Sequence, residues 1–337
     1  MRDCDSDRRP IAADRLSVDG RLLYAAAEGI VVTDPPPTTV LLPTVRWTDA
    51  CTDVAEAVRQ TDELLVIADT EDDPVADRRG TTPDGVRVVL AGEPTGCSGK
   101  ANAIIAGMRA AETDRIVWTD DDFHHPPGWL AALHADYERQ GPTTELPVFL
   151  GRDPLGILLE PAYLFGGTLG VATGGVAWGG AVVFERDDVD ETALLADLGR
   201  TVSDDGTLSE HLDVTPVKRL RLVSSGGSVR DSLERFVRFL WITRYHAPRA
   251  VAVNVCLAVA LAAACLAAPA AAVVAATLVS AATYAWAGLR RPSFLLAGPA
   301  VVAMPGLLAY AFARRTFVWG GRRYRWLDKH DVRKTRR

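Results

Sequence analysis

From Ala250 to Leu289, forty consecutive residues carry no charge, and a second uncharged run, Ser293–Ala313, follows after Arg290 and Arg291. A helix that crosses the hydrocarbon core of a bilayer needs about 20 apolar residues. The first run therefore has the length of two crossings, broken near Pro269. A soluble core helix does not stay free of charge for so long. Residues 248–313 are accordingly expected to form a membrane region of two to three hydrophobic helices.

Charge divides the chain at a related place. Residues 1–217 hold 17 Lys and Arg against 39 Asp and Glu, whereas residues 218–337 hold 20 against 4. The acidic part excludes nucleic acid as its partner, and the basic part suits an anionic membrane surface. Between them, Val229, Leu233, Phe236, Val237, Leu240 and Trp241 recur at helical spacing, with Arg230, Arg235, Arg238 and Arg244 near the other face. This pattern predicts an amphipathic interfacial helix over 229–247. Residues 314–337 form a basic tail, which the positive-inside rule places in the cytoplasm. Three crossings would put that tail opposite the domain before them. Ser293–Ala313, interrupted by Pro299 and by Pro305-Gly306, is therefore expected to enter the membrane and return on the same side. The chain is read as a multi-pass cell-membrane protein with its larger domain in the cytoplasm.

The five cysteines include no C-x-x-C pair, which predicts a reducing compartment without disulfides or structural zinc. Residues 1–36 are an N-terminal extension of short apolar pieces such as Leu22-Leu23-Tyr24 and Ile30-Val31-Val32, read as small strands. With acids at Asp3, Asp5 and Asp7 and no apolar run, its start is expected to be neither a signal peptide nor an anchor.

Residues 37–228 alternate strand and helix patterns. The strands read as Thr38–Pro43, Leu64–Ala68, Val86–Leu90 and Arg115–Thr119, with helices from about Asp49 to Gln60 and from about Lys100 to Ala111. Near-continuous apolar strands alternating with helices imply an α/β fold with a mostly parallel sheet covered on both faces. The stretch 141–200 is less regular and glycine-rich, above all over 165–180.

In such sheets ligands bind beyond the carboxyl ends of the strands, and here the strand ends are acidic. Asp69 closes the second strand, where a carboxylate can bond the N–H edge of a base or a ribose hydroxyl. Asp120-Asp121-Asp122 follows the fourth, and the D-x-D pair Asp120 and Asp122 can approach one metal ion that bridges two phosphates. Asp121, between them, is expected to be replaceable. The pair Asp204-Asp205 is expected at a helix start, where it caps or supplies a general base for an acceptor hydroxyl. Lys100 after Gly92, Gly96 and Gly99 fails the spacing of a phosphate-binding P-loop. His124 and His125 are read as solvated, and Cys97 as inert.

The order Ile67-Ala68-Asp69, Gly99-Lys100-Ala101-Asn102-Ala103, Thr119-Asp120-Asp121-Asp122, Trp178-Gly179-Gly180, Asp204-Asp205 and Arg235-Phe236-Val237-Arg238-Phe239 resembles membrane-bound family 2 glycosyltransferases, most of all their ceramide glucosyltransferase-like branch. The resemblance covers roughly residues 37–320. It implies a GT-A (nucleotide-diphospho-sugar transferase) fold over 37–228, followed by an interfacial helix and C-terminal transmembrane helices. It also implies Mg²⁺ or Mn²⁺ as cofactor, a nucleotide-diphospho-sugar as donor and a membrane lipid or lipid-linked acceptor, with inversion at the sugar carbon. Carried over by position, Asp69 contacts the nucleotide, Asp120 and Asp122 address diphosphate and metal, and Lys100 helps bind the nucleotide. Asp205 is the base, with Asp204 as its alternative, and Arg235 and Arg238 face diphosphate or acceptor. The family's final (Q/R)-x-x-R-W tryptophan is replaced by Phe239, with Trp241 two residues on, which leaves open which ring stacks on a sugar. A polymerising polysaccharide synthase and a catalytically silent membrane-anchored binding module of the same fold are the alternative readings.

Overall fold

The computed structural model describes residues 35–335. The expected small strands of the N-terminal extension lie outside the described residues. Seven strands form the main sheet: β1 (Thr38–Pro43), β2 (Glu63–Ala68), β3 (Val86–Leu90), β4 (Arg115–Thr119), β5 (Thr143–Gly151), β6 (Ala181–Glu185) and β7 (Thr215–Ser225). Their order is β3-β2-β1-β4-β6-β5-β7, and every neighbouring pair is parallel except the two that involve β6. The expected α/β fold with a mostly parallel sheet is what the chain adopts.

The first four strands are apolar along their length because both faces are covered. On one face α2 (Gly99–Ala110), α6 (Glu191–Leu198) and α7 (Asp204–His211) pack Ile104, Met108, Leu198 and Leu208 against Leu41, Ile67 and Trp118. On the other, α1 (Asp49–Ala57) and α3 (Trp129–Gln140) pack Val54, Trp129 and Leu133 against Val40, Val66 and Val117. Each large apolar side chain so buried contributes about 1.5–3 kcal/mol. β2 and β4 can thus hold acids at their ends without losing their place in the sheet.

The glycine-rich stretch departs from its irregular reading. It forms α4 (Pro154–Tyr163), a π-turn (Leu164–Thr168) and α5 (Leu169–Gly174), one apolar helical body of 21 residues. Asp153 caps it, accepting from the N–H groups of Leu155 and Gly156. Packing against β5 and α11 (Ala297–Ala313) keeps it helical despite Pro161 and five glycines.

α8 (Val229–His246) follows β7, and its apolar side chains Phe236, Val237, Leu240 and Trp241 are buried within the chain. Next come α9 (Pro248–Ala267) and α10 (Pro269–Trp286), which break at the expected proline. A 3-10 turn (Pro292–Leu296) then leads into α11 (Ala297–Ala313). The body 154–174, α9, α10 and residues 292–313 are each long and apolar enough to cross a membrane. The residues read as a basic tail form a second, antiparallel sheet: β8 (Thr316–Trp319), β9 (Arg322–Asp328) and β10 (Asp331–Thr335). Phe317, Tyr324, Trp326 and Val332 alternate with exposed charges and bury themselves against α8.

Candidate active site

The strand ends, the starts of α2 and α7, one face of α8 and the second sheet surround a cavity of about 280 Å³. All eight residues singled out from the sequence line it: Asp69, Lys100, Asp120, Asp122, Asp204, Asp205, Arg235 and Arg238.

Local structure fixes each acid. Thr119, the last residue of β4, donates its hydroxyl to the Gly180 carbonyl at 2.9 Å and bonds Nε2 of His125 at 2.7 Å, which pins both ends of the acidic loop. His125 is therefore not solvated: it is 2 % exposed, and burial lowers its pKa to about 3, so the ring is neutral. His124 is exposed and bonds Asp53 at 2.7 Å. Asp121 accepts from the Thr44 hydroxyl at 2.6 Å, a tie to the end of β1 that the sequence did not suggest. At α7, Ser203 caps the helix by accepting from the Gly206 N–H at 3.0 Å, placing Asp204 and Asp205 in the first turn as expected. Gly179 lies against both acids, for a Cβ there would stand 2.7 Å from Asp204 Oδ2 and from Asp205 Oδ1. Its own N–H donates to Asp205 Oδ1 at 2.7 Å.

Lys100, in the first turn of α2, joins the two acidic motifs. Its ammonium is 2.6 Å from Asp120 and 2.7 Å from Asp204. Burial disfavours that charge, yet Asp120, Asp204 and Asp205 together hold the ammonium well above its ordinary pKa. One cation does not satisfy all the acids. Burial, with Asp122 and Asp204 nearby, keeps the Asp120 carboxyl well above the usual carboxylate range, and burial likewise raises Asp122 although Arg235 and Lys100 oppose it. Burial and then the Asp204 charge push Asp205 up to about 7. Arg235 and Arg238 sit three residues apart on α8 and share one face. Burial, with Arg235 beside it, brings Arg238 down to about 9.

Among the described residues, no three carboxylate, imidazole or thiolate groups converge as a ready-made metal site. The chain offers a divalent ion the Asp120 and Asp122 carboxylates. That fits Mg²⁺, which is typically held by one or two carboxylates and completed by substrate phosphates and water. The raised carboxyls mark unmet demand for positive charge at the same place.

Of Phe239 and Trp241, only Phe239 lines the cavity. It stands beside Phe149, with centroids 5.4 Å apart, whereas Trp241 is buried and donates to the Arg314 carbonyl at 2.6 Å. Cys97 is buried, and burial pushes its thiol up to about 11. Sequence reasoning missed Trp319, Arg322 and Tyr324, which reach the cavity from the second sheet. Arg238 lies 4.1 Å from the Trp319 ring, Arg322 is ion-paired with Asp69, and the Tyr324 hydroxyl accepts from the Gly99 N–H at 3.1 Å. The two-residue alternation of Tyr324 and Trp326 was the available signal for a strand there.

Residues 50–163 match the sequence profile described as glycosyl transferase family 2. No curated protein sequence matches the chain. Similar solved structures include glucosyl-3-phosphoglycerate synthase from Mycobacterium tuberculosis in complex with Mn²⁺, uridine-diphosphate-glucose and phosphoglyceric acid. It has 16% identity and a TM-score of 0.40, over 61% of this chain and 79% of that one. The same enzyme with uridine diphosphate gives 16% and 0.40, over 61% and 80%. A mycobacterial protein gives 18% and 0.39, over 61% and 74%. Over residues 50–163 the chain is similar to family 2 glycosyl transferases.

Proposed function

We propose that the protein is an inverting glycosyltransferase, similar to the ceramide glucosyltransferase-like branch, that moves a sugar from a nucleotide-diphospho-sugar to a membrane lipid or lipid-linked acceptor. The observation that carries this reading is the bridge Asp120–Lys100–Asp204, which brings a diphosphate-type D-x-D loop and a helix-start acid pair into one cavity. Asp120 and Asp122 hold the donor end through Mg²⁺ or Mn²⁺, which supplies positive charge to the departing diphosphate. Lys100, Arg235 and Arg238 add fixed charge around it. Asp205, more open than Asp204 and not tied to Lys100, accepts the proton of the acceptor hydroxyl as it attacks the sugar carbon from the opposite face. One such displacement inverts the anomeric centre. Phe239 and Phe149 offer flat apolar surface to the sugar or to the acceptor.

The membrane arrangement supports a lipid acceptor. The body 154–174 joins β5 and β6, which pair in one sheet, so both its ends lie on one side of any bilayer. α10 returns to the catalytic sheet, where Lys218 of β7 stands 5.0 Å from the Trp286 ring. Arg291 then pairs with Glu160 of α4 at 2.8 Å, and Arg314 meets Trp241 of α8. Between those anchors, Gly298 packs against Val273, which lies in the half of α10 farther from Trp286. Residues 292–313 thus dip and come back, leaving α9 and α10, about 30 and 27 Å long, as a hairpin of two crossings. Two helices enclose no channel, which disfavours a polymerising synthase. In intact cells a Lys334→Cys variant is expected to resist a membrane-impermeant thiol reagent until the membrane is opened. Labelling from outside would refute this arrangement.

The whole reading is tested by incubating the purified chain in native lipid with a panel of nucleotide-sugars, Mg²⁺ or Mn²⁺, and then chelator. A new glycolipid identified by mass spectrometry, formed with metal and lost with chelator, is the expected product. Absence of any metal-dependent transfer or donor hydrolysis across the panel would leave the silent binding module as the better account.

A further inference from the structure

The second sheet does more than cover α8. Asp69, 6 % exposed at the end of β2, accepts at Oδ2 from Nη1 of Arg322, while no hydrogen bond among the described residues reaches its Oδ1. Arg322 is held from a second direction by Glu93, whose Oε2 lies 3.7 Å from Nη2 and 2.6 Å from the Lys334 ammonium. The pair rests directly on the first turn of α2. A Cβ at Gly99 would stand 3.2 Å from Arg322 Nη1 and 3.5 and 3.6 Å from the Asp69 oxygens. Two residues along β9, the buried Tyr324 accepts the Gly99 N–H, one of the donors that a helix start otherwise leaves open. With Phe317, Tyr324, Trp326 and Val332 all buried, the sheet is a packed wall.

We propose that this sheet completes the nucleoside end of the donor cavity, and that Arg322 is a positioning residue: it holds one oxygen of Asp69 so that the other reads the N–H edge of the base. The proposal rests on the reading of the cavity as a nucleotide-diphospho-sugar site. A carboxylate free to rotate accepts from many donors, whereas one whose Oδ2 is held by a guanidinium that Glu93 fixes in turn presents Oδ1 in one direction. The discrimination of a base from its competitors then depends on a residue 253 positions away in the chain. By analogy with other outer partners that orient a ligand-binding group, its removal costs on the order of 10–100-fold in affinity. The loss falls on the preferred base and not on the sugar chemistry.

The test uses the full chain in lipid nanodiscs and measures binding of uridine, guanosine, adenosine and cytidine diphosphates with Mg²⁺. It compares the wild type with Arg322→Ala and Arg322→Lys, each checked for an unchanged thermal midpoint. The expected result is a roughly 10–100-fold weaker dissociation constant for the preferred nucleotide in Arg322→Ala and a smaller change for the others, so that the selectivity ratio falls toward one. In turnover, donor KM rises while kcat is nearly kept. Arg322→Lys, which keeps the charge and loses the planar guanidinium that reaches Asp69 and Glu93 together, is expected to fold in any case and to restore affinity more than selectivity. Unchanged affinity and selectivity in both variants would overturn the proposal. So would tighter binding in Arg322→Ala, since the ion pair would then be a competitor of the nucleotide. Failure of the wild type to bind any of the four would instead overturn the donor-site reading itself.

Discussion

Asp122→Asn is expected to lower turnover on the order of 100-fold, the scale on which preorganised charge at a developing anion acts, while leaving the thermal midpoint unchanged. The choice of Asp122 over Asp120 follows from their surroundings. Asp120 is one of the two ion-pair partners of a buried ammonium, so its amide would leave Lys100 with Asp204 alone and confuse folding with catalysis. Among the described residues Asp122 makes no hydrogen bond or ion pair, and it is held above the usual carboxylate range by burial. Its amide keeps the shape and removes a charge that the fold does not use. Activity should remain dependent on added metal but require more of it. Wild-type turnover in this variant, at wild-type metal concentration, would remove Asp122 from the metal site and leave Asp120 as the sole protein ligand.

The second large effect is expected at Asp205→Asn: a loss of roughly 10²–10⁴-fold in transfer to a hydroxyl acceptor, with donor binding retained. The carboxylate is the working form of a general base. Because the pKa of Asp205 is raised to about 7, the base is protonated below that value, and the wild-type rate should climb as pH rises through about 7 and level off above it. The Asn variant should lose that ascending limb along with the rate. If it stays fully active on the true acceptor, the nucleophile arrives already ionised, as a phosphate does at neutral pH, and no base is required. Comparing a hydroxyl-headed with a phosphate-headed lipid acceptor separates the two cases.

The parts of the molecule that could be read in advance share a physical origin. Leu64–Ala68 and Arg115–Thr119 are buried on both sides, so their apolar runs announce strands, and the acids that follow stand out against them. Ser203 before Asp204 and Asp205 signals a helix start by local hydrogen bonding alone. The body 154–174 was opaque for the opposite reason. Its glycines and Pro161 argue for irregular chain by local propensity, and only packing against β5 and the hydrophobic helices overrides that preference. The second sheet was hidden by net charge: arginines at 322, 323 and 325 drew attention to a tail, while Tyr324 and Trp326 between them carried the strand pattern. Pairings such as Asp69 with Arg322 belong to tertiary structure, and no local window contains both residues.

The position of β9 in the chain has a consequence for biogenesis. Asp69, Lys100 and the acidic loop are synthesised early, and Arg322, Tyr324 and Trp319 only after α9, α10 and α11 have left the ribosome. On the arrangement proposed above, the wall formed by Arg322 and Tyr324 closes only once the hydrophobic hairpin has both ends on one face of the bilayer. A chain that inserts with the wrong orientation separates the early half of the cavity from the late half. On the same arrangement insertion would act as a proofreading step, since only correctly threaded copies would acquire a complete donor site.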